Sequence, residues 1–90
     1  MNHFVYIIEC KDKYLYTGIT YNIEKRLREH KSGLSIITKN RLPIKLVYLE
    51  RFNNKIDAAK REKEIKGWKR SKKENLIDNY LKQYVYPERE

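Results

Sequence analysis

Two short segments, Phe4 to Glu9 and Tyr14 to Thr20, are dense in β-branched and aromatic residues and flank the polar stretch Lys11-Asp12-Lys13. Residues of this kind fit the pleated, half-buried surface of a sheet, so the pattern predicts a β-hairpin. Alternation puts Phe4, Tyr6 and Ile8 on one face of the first strand and Tyr14, Tyr16 and Gly18 on one face of the second. Two tyrosines can therefore meet across a short ladder. With 90 residues in all, the expectation is a single compact domain with a thin core, spanning residues 1–84, and a frayed end at 85–90.

After the hairpin, Asn22 suits the N-cap of a helix over Ile23 to Lys31, and Gly33 suits its stop. The mixture of Thr38, Lys39, Asn40, Arg41 and Pro43 predicts a basic connecting loop from Ser35, and Ile44 to Phe52 a third strand. Asn54 can cap a second helix, with Asp57 completing something close to a capping box, and that helix should run to about Gly67 or Trp68. A further box, Ser71-Lys72-Lys73-Glu74, opens a third helix, whose Leu76, Ile77, Tyr80, Leu81 and Tyr84 recur at helical spacing. The fold class is α/β of the α+β kind: a small, mainly antiparallel three-stranded sheet flanked by helices, in the order β-β-α-β-α-α.

Charge narrows the partners. The chain has 21 Lys and Arg against 12 Asp and Glu, a net +9 spread along its length, which favours a polyanion such as nucleic acid. No segment approaches the roughly 20 apolar residues of a membrane span, and the first residues lack a signal-peptide pattern, so no membrane partner and a cytoplasmic location are expected. One cysteine, Cys10, and two histidines cannot make a thiolate metal site, and Cys10 is expected to be a buried, inert thiol. Any metal would take oxygen ligands and behave like magnesium.

One carboxylate stands out. At about 100° per residue, Glu62 of the second helix falls between Ala58 and Ala59 on the inward face, whereas Glu64 falls between Lys60 and Arg61, where exposed salt bridging is easy. An inward carboxylate needs a positive or hydrogen-bonding partner, either a metal ion or an arginine such as Arg26. Arg26 and His30, four residues apart, share a side of the first helix beside Ile23 and Leu27.

Val5-Tyr6 in the first strand followed by Tyr16-Thr17-Gly18 in the second resembles the paired motif of the GIY-YIG nucleases. Arg26, in Glu24-Lys25-Arg26-Leu27, looks like that family's catalytic arginine, and Glu62 like its metal-binding glutamate. The similarity runs from about residue 3 to 80 and is nearest to the short, single-domain bacterial members, a group whose Lys39 and Trp68 are matched here too. Phe4-Val5-Tyr6 replaces Gly-Ile-Tyr, and Thr17 stands where isoleucine is usual.

The resemblance implies a metal-dependent endonuclease cutting phosphodiester bonds in DNA. Glu62 would hold one Mg²⁺ or Mn²⁺ ion, which would polarise the scissile phosphate and stabilise the departing 3′ oxygen. Arg26 would donate its planar fork to the phosphate as charge builds, a task lysine could not fully take over. Tyr6 or Tyr16 would orient or deprotonate the attacking water, His30 would assist proton transfer or contact phosphate, and Gly18 would let the backbone approach the substrate or the following helix. Lys25, Arg28, Lys31, Lys39 and Arg41 could line one basic side with Lys45, and Lys69 and Arg70 sit in the densest cluster, with Lys66, Lys72 and Lys73. These would contact phosphates with little base readout.

So small a domain is expected to lack a separate module to choose its sites. Specificity is then expected to be directed by DNA structure or damage, as in DNA repair, or supplied by a partner protein or an oligomer. Two rivals share the basic surface: a non-catalytic nucleic-acid-binding module on the same fold, and a translation-associated adaptor for structured RNA.

Overall fold

The computed structural model describes residues 2–85. It contains β1 (His3–Cys10), β2 (Leu15–Thr20), α1 (Ile23–Lys31), β3 (Ile44–Phe52), α2 (Lys55–Lys66) and α3 (Arg70–Val85), the expected order. The strands lie β2-β1-β3, and both pairings are antiparallel. The expected frayed end falls, apart from Val85, outside the described residues.

The central strand is the apolar spine. Val5, Tyr6, Ile7 and Ile8 are all buried because β1 is paired on both edges and covered on both faces. Val5 and Ile7 point to one side, where they pack with Val47, Tyr48, Ala58, Ile65 and Ile77 beneath α2 and α3. Tyr6, Ile8 and Cys10 point to the other, where Ile23 and Leu27 of α1 pack against them. A bulge in β3 fits this division: Ile7 pairs with Tyr48 and Ile8 with Leu46, leaving Val47 as the extra residue. Consecutive Val47 and Tyr48 thereby reach the same cluster. Cys10 is buried, and burial raises its thiol pKa.

The helix starts and stops follow local chemistry. Asn22 Oδ1 accepts the Lys25 N–H at 3.0 Å, and Asn54 Oδ1 accepts the Asp57 N–H at 2.9 Å, so each asparagine satisfies an otherwise unpaired donor. Gly33, at φ +83°, turns the chain away from α1. The third helix departs from expectation, since it begins at Arg70 and places Ser71 inside its first turn. The Lys69 carbonyl accepts the N–H groups of Lys72 and Lys73, which starts the helix before Ser71 can cap it. Glu74, the other half of the expected box, instead accepts from Arg70 Nε at 2.7 Å. Further along α3, Leu76, Ile77, Tyr80 and Leu81 pack on the sheet as their spacing predicts; the Tyr84 side chain lies outside what is described.

Thr17 is buried in β2, opposite Ile7, and its hydroxyl has no hydrogen-bond partner. A buried hydroxyl without a partner opposes folding. Thr17→Val, which keeps the shape and removes the hydroxyl, should raise the unfolding free energy by about 1 kcal/mol. A higher urea midpoint at unchanged slope would show it.

Candidate active site

The site grows from the face of the sheet that α1 covers. Tyr6 lies opposite Gly18 in the β1–β2 ladder, and its ring leans across the position a side chain there would fill. A Cβ on Gly18 would sit 2.5 Å from the Tyr6 hydroxyl and 2.9 Å from the Tyr16 ring. The Tyr6 and Tyr16 rings thus require glycine at this position. Gly18→Ala should lower the thermal midpoint and displace the Tyr6 ring, seen as altered aromatic signals in an NMR spectrum.

Helix α1 brings two groups to the same phenol. Arg26 Nε donates to the Tyr6 hydroxyl at 3.3 Å, and His30 Nε2 lies 3.1 Å from it. The second imidazole nitrogen, Nδ1, is 2.8 Å from Thr38 Oγ1. His30 and Thr38 are both fully buried. Tyr16 completes an aromatic group, its ring 6.1 Å from that of Tyr6 and 5.6 Å from that of His30. The structure therefore brings Arg26 and His30 to the Tyr6 hydroxyl and sets the Tyr16 ring beside them.

Burial sets the electrostatics here. It pushes the Tyr6 phenol up to about 12, helped by Tyr16 and Glu62 and opposed by Arg26. Burial and the Arg26 charge lower the His30 pKa. Glu29 accepts from Arg26 Nη1 at 2.8 Å and its own pKa is lowered by that bond. A neutral imidazole has one donor and one acceptor nitrogen. With Arg26 already donating to the Tyr6 oxygen, a consistent assignment has Tyr6 O–H donating to Nε2 and Nδ1–H donating to Thr38 Oγ1.

Glu62 approaches from α2. Ala58, Glu62 and Ile65 fall at i, i+4 and i+7, but only Ala58 and Ile65 are buried, and Glu62 keeps 19% of its side chain exposed at the edge of that stripe. Ala59 faces solvent, so Glu62 is not enclosed between two alanines as the projection placed it. Nor is its partner Arg26: Lys66, one turn on, holds it at 3.0 Å, and the Lys66 ammonium lies 5.9 Å from the Tyr16 ring. Glu64 does form the expected exposed pair, with Arg61 at 2.9 Å.

The surrounding cations divide into free and engaged. Lys25, Arg28, Lys31, Lys39 and Lys69 are exposed. Arg41 is tied to the hairpin turn, bonded to Asp12 at 3.0 Å and stacked over Tyr14. Arg70 is paired with Glu74, Lys45 lies 3.6 Å from Glu9, and Lys72 stacks on Trp68. Being fully buried, His30 cannot touch a phosphate in this conformation, which removes one of its two expected roles. Sequence reasoning named Lys66 only as a phosphate contact, not as the partner of Glu62, and missed Glu29 and Thr38 as neighbours of the site. Glu29 and Lys66 were detectable as opposite charges one turn from Arg26 and Glu62; Thr38 had no such pattern to mark it.

The profile of the GIY-YIG catalytic domain matches residues 2–75. The chain belongs to the GIY-YIG family. Its relatives include a UPF0213 protein of Natronomonas pharaonis, 47% identical over 84% of this chain and 91% of that protein. Another, from Staphylococcus saprophyticus, is 50% identical over 83% and 93%. The solution NMR structure of the UPF0213 protein from Bacillus halodurans matches at 43% identity and a TM-score of 0.59, covering 87% of this chain and 84% of that one.

The GIY-YIG residues can be tested against a divalent metal. Among the described residues no three His, Cys, Asp or Glu side chains cluster as a ready ligand set. Glu62 offers a carboxylate at the site's edge. That fits magnesium, which is commonly held by one or two carboxylates and completed by water and substrate phosphates. No helix of the described residues is long and apolar enough to cross a membrane.

The buried imidazole makes stability depend on pH. In the unfolded chain His30 titrates near its ordinary value of about 6.5, and in the fold it titrates lower. Between those values the unfolded chain holds a proton that the fold excludes, so stability should rise with pH through the window below about 6.5 and show no contribution from this group above it. Urea midpoints across that range should reveal the slope, and His30→Gln should flatten it.

Proposed function

We propose that this GIY-YIG domain is a metal-dependent endonuclease that hydrolyses phosphodiester bonds in DNA, choosing its sites by DNA structure or damage and not by sequence. The observation that carries the reading is the convergence of Arg26 and His30 on the Tyr6 hydroxyl, with the Tyr16 ring beside them and the Glu62 carboxylate at the cluster's edge. In the reaction water forms a new P–O bond while the bond to the 3′ oxygen breaks.

Each residue then has a task matched to its setting. Arg26 binds the phosphate: its Nε is held by Tyr6 and one Nη1 hydrogen by Glu29, which aims the planar fork and leaves the Nη2 donors for phosphate oxygens. Tyr16, only partly buried, is the phenol that orients the attacking water. Tyr6 is unsuited to act as a free base, because its pKa is pushed up to about 12. It is the positioning residue that links Arg26 to His30. Glu62, now paired with Lys66 at a partly exposed edge, would hold the Mg²⁺ or Mn²⁺ ion. When bound, the ion supplies Lewis-acid stabilisation of the phosphate and leaving oxygen. Lys25, Arg28, Lys31, Lys39 and Lys69 contact flanking phosphates.

One observation favours a second reading, a nucleic-acid-binding module without catalysis. Glu62 is already neutralised by Lys66, and among the described residues it belongs to no group of three or more potential metal ligands. A cleavage assay on end-labelled duplex, single-stranded, flapped and branched DNA, with magnesium, manganese or chelator, separates the two. Glu62→Ala should abolish metal-dependent cutting and leave DNA affinity in chelator nearly unchanged. Arg26→Ala should slow cutting by more than about tenfold, a loss above about 1.4 kcal/mol, and Arg26→Lys should restore only part of it. Binding without cutting by the wild type would hand the site to the second reading.

A further inference from the structure

Beyond α1 the chain makes a compact set of turns beside the site. Gly33 reverses direction at φ +83°, Leu34 N–H donates back to the Glu29 carbonyl at 2.9 Å, and Lys39 N–H donates to the Ser35 carbonyl at 2.9 Å. Ser35 and Thr38 turn inward and are buried. The large aliphatic residues do the opposite: Leu34 is 75% exposed, Ile36 84% and Ile37 44%. This inverts the ordinary rule, because the small polar side chains anchor the loop while the apolar ones face water. Exposed Lys31 and Lys39 flank the tip.

A contiguous apolar patch on the order of a few hundred Å² commonly marks an interaction site. The charge selects the partner. A second copy of this chain would bring another net +9 against Lys31 and Lys39, whereas DNA supplies phosphates for the lysines and a base stack for the aliphatic side chains. Leucine and isoleucine wedges entering between base pairs, with cations on the adjoining phosphates, are an established way to hold kinked DNA.

We propose that the tip formed by Leu34, Ile36 and Ile37 is a wedge that enters DNA at a step where stacking is already weakened, with Lys31 and Lys39 on the flanking phosphates. The inference rests on the nuclease reading and adds to it the feature of DNA that the domain selects. Opening a stacked step costs a few kcal/mol in intact duplex and less at a branch, nick or mispair, so the wedge favours such structures. Thr38, in the same loop, fixes the tip relative to Arg26 and Tyr6 through its bond to His30. The scissile phosphate is thereby set at a constant offset from the opened step.

The test uses the full chain in chelator, with 2-aminopurine placed at the branch of a flapped duplex and at the same step of a continuous duplex. Wild type should raise the fluorescence at the branch as the base unstacks. The triple substitution Leu34→Ser, Ile36→Ser and Ile37→Ser should abolish that rise and weaken flap binding by about tenfold, with a much smaller effect on continuous duplex. The single variant Ile36→Ser, at the most exposed position, should give an intermediate loss and guards against misfolding of the triple. If both variants bind and unstack the flap as wild type does, the wedge is overturned and the nuclease reading stands, judged by its own cleavage assay. If the variants lose only self-association in sedimentation, the patch serves a second copy and the proposal fails. If the wild type binds none of these DNAs, the wedge and the reading beneath it fall together.

Discussion

A single phenol fastens the two halves of the site. Tyr6 stands on the central strand, and its hydroxyl is where α1 meets the sheet through Arg26 and His30. A buried polar group without partners would destabilise the fold, and a chain of them is favourable only when each member is satisfied. Here the chain runs from Glu29 through Arg26, Tyr6 and His30 to Thr38, joining one turn of helix, a strand and a loop. Sheet register underlies all of it. A slip of one residue would send Tyr6 to the opposite face and Ile7 toward α1, and the pairing of Tyr6 with Gly18 leaves space for the ring in only one register.

The same interaction explains why some of this was legible in the sequence and some was not. The hairpin, the asparagine caps of α1 and α2, and β3 rest on local chemistry: alternation, a side-chain oxygen reaching a nearby N–H, and a dense apolar run. These give the same answer before and after folding. Alternation was also enough to set the two hairpin tyrosines near each other, and four-residue spacing to put Arg26 and His30 on one side of α1. Ser71 failed because a cap competes with its neighbours: Lys69 was able to start α3 earlier, and Arg70 took Glu74. The complete burial of His30 was hidden for another reason. Its cover comes from Thr38 and the turns around it, a contact decided by how the loop packs and carried by no periodic pattern.

Membership of the GIY-YIG family leaves a narrower physical question, which is how a site made of strong charges remains stable with no substrate present. Arg26 and Glu62, the two groups assigned to phosphate and metal, each hold an opposite charge within one turn of their own helix: Glu29 for the first and Lys66 for the second. Both pairs lie at partly exposed edges. Partners of this kind are already on the same helix and need little ordering to reach each other, and such pairs are worth only about 0.3–0.5 kcal/mol.

That weakness suits exchange. On the proposed reading, a phosphate at Arg26 would compete with the partly exposed Glu29 carboxylate while Arg26 Nε keeps its bond to the Tyr6 hydroxyl. On the same proposed reading, Glu62 would trade Lys66, an ammonium on a flexible stem 5.9 Å from the Tyr16 ring, for a cation. The buried bonds of His30 to Tyr6 and Thr38 thus hold geometry, while the pairs at partly exposed edges are the ones that exchange readily. This division follows from burial alone: an ion pair is easily exchanged where water can solvate both released partners, and costly to break where it cannot.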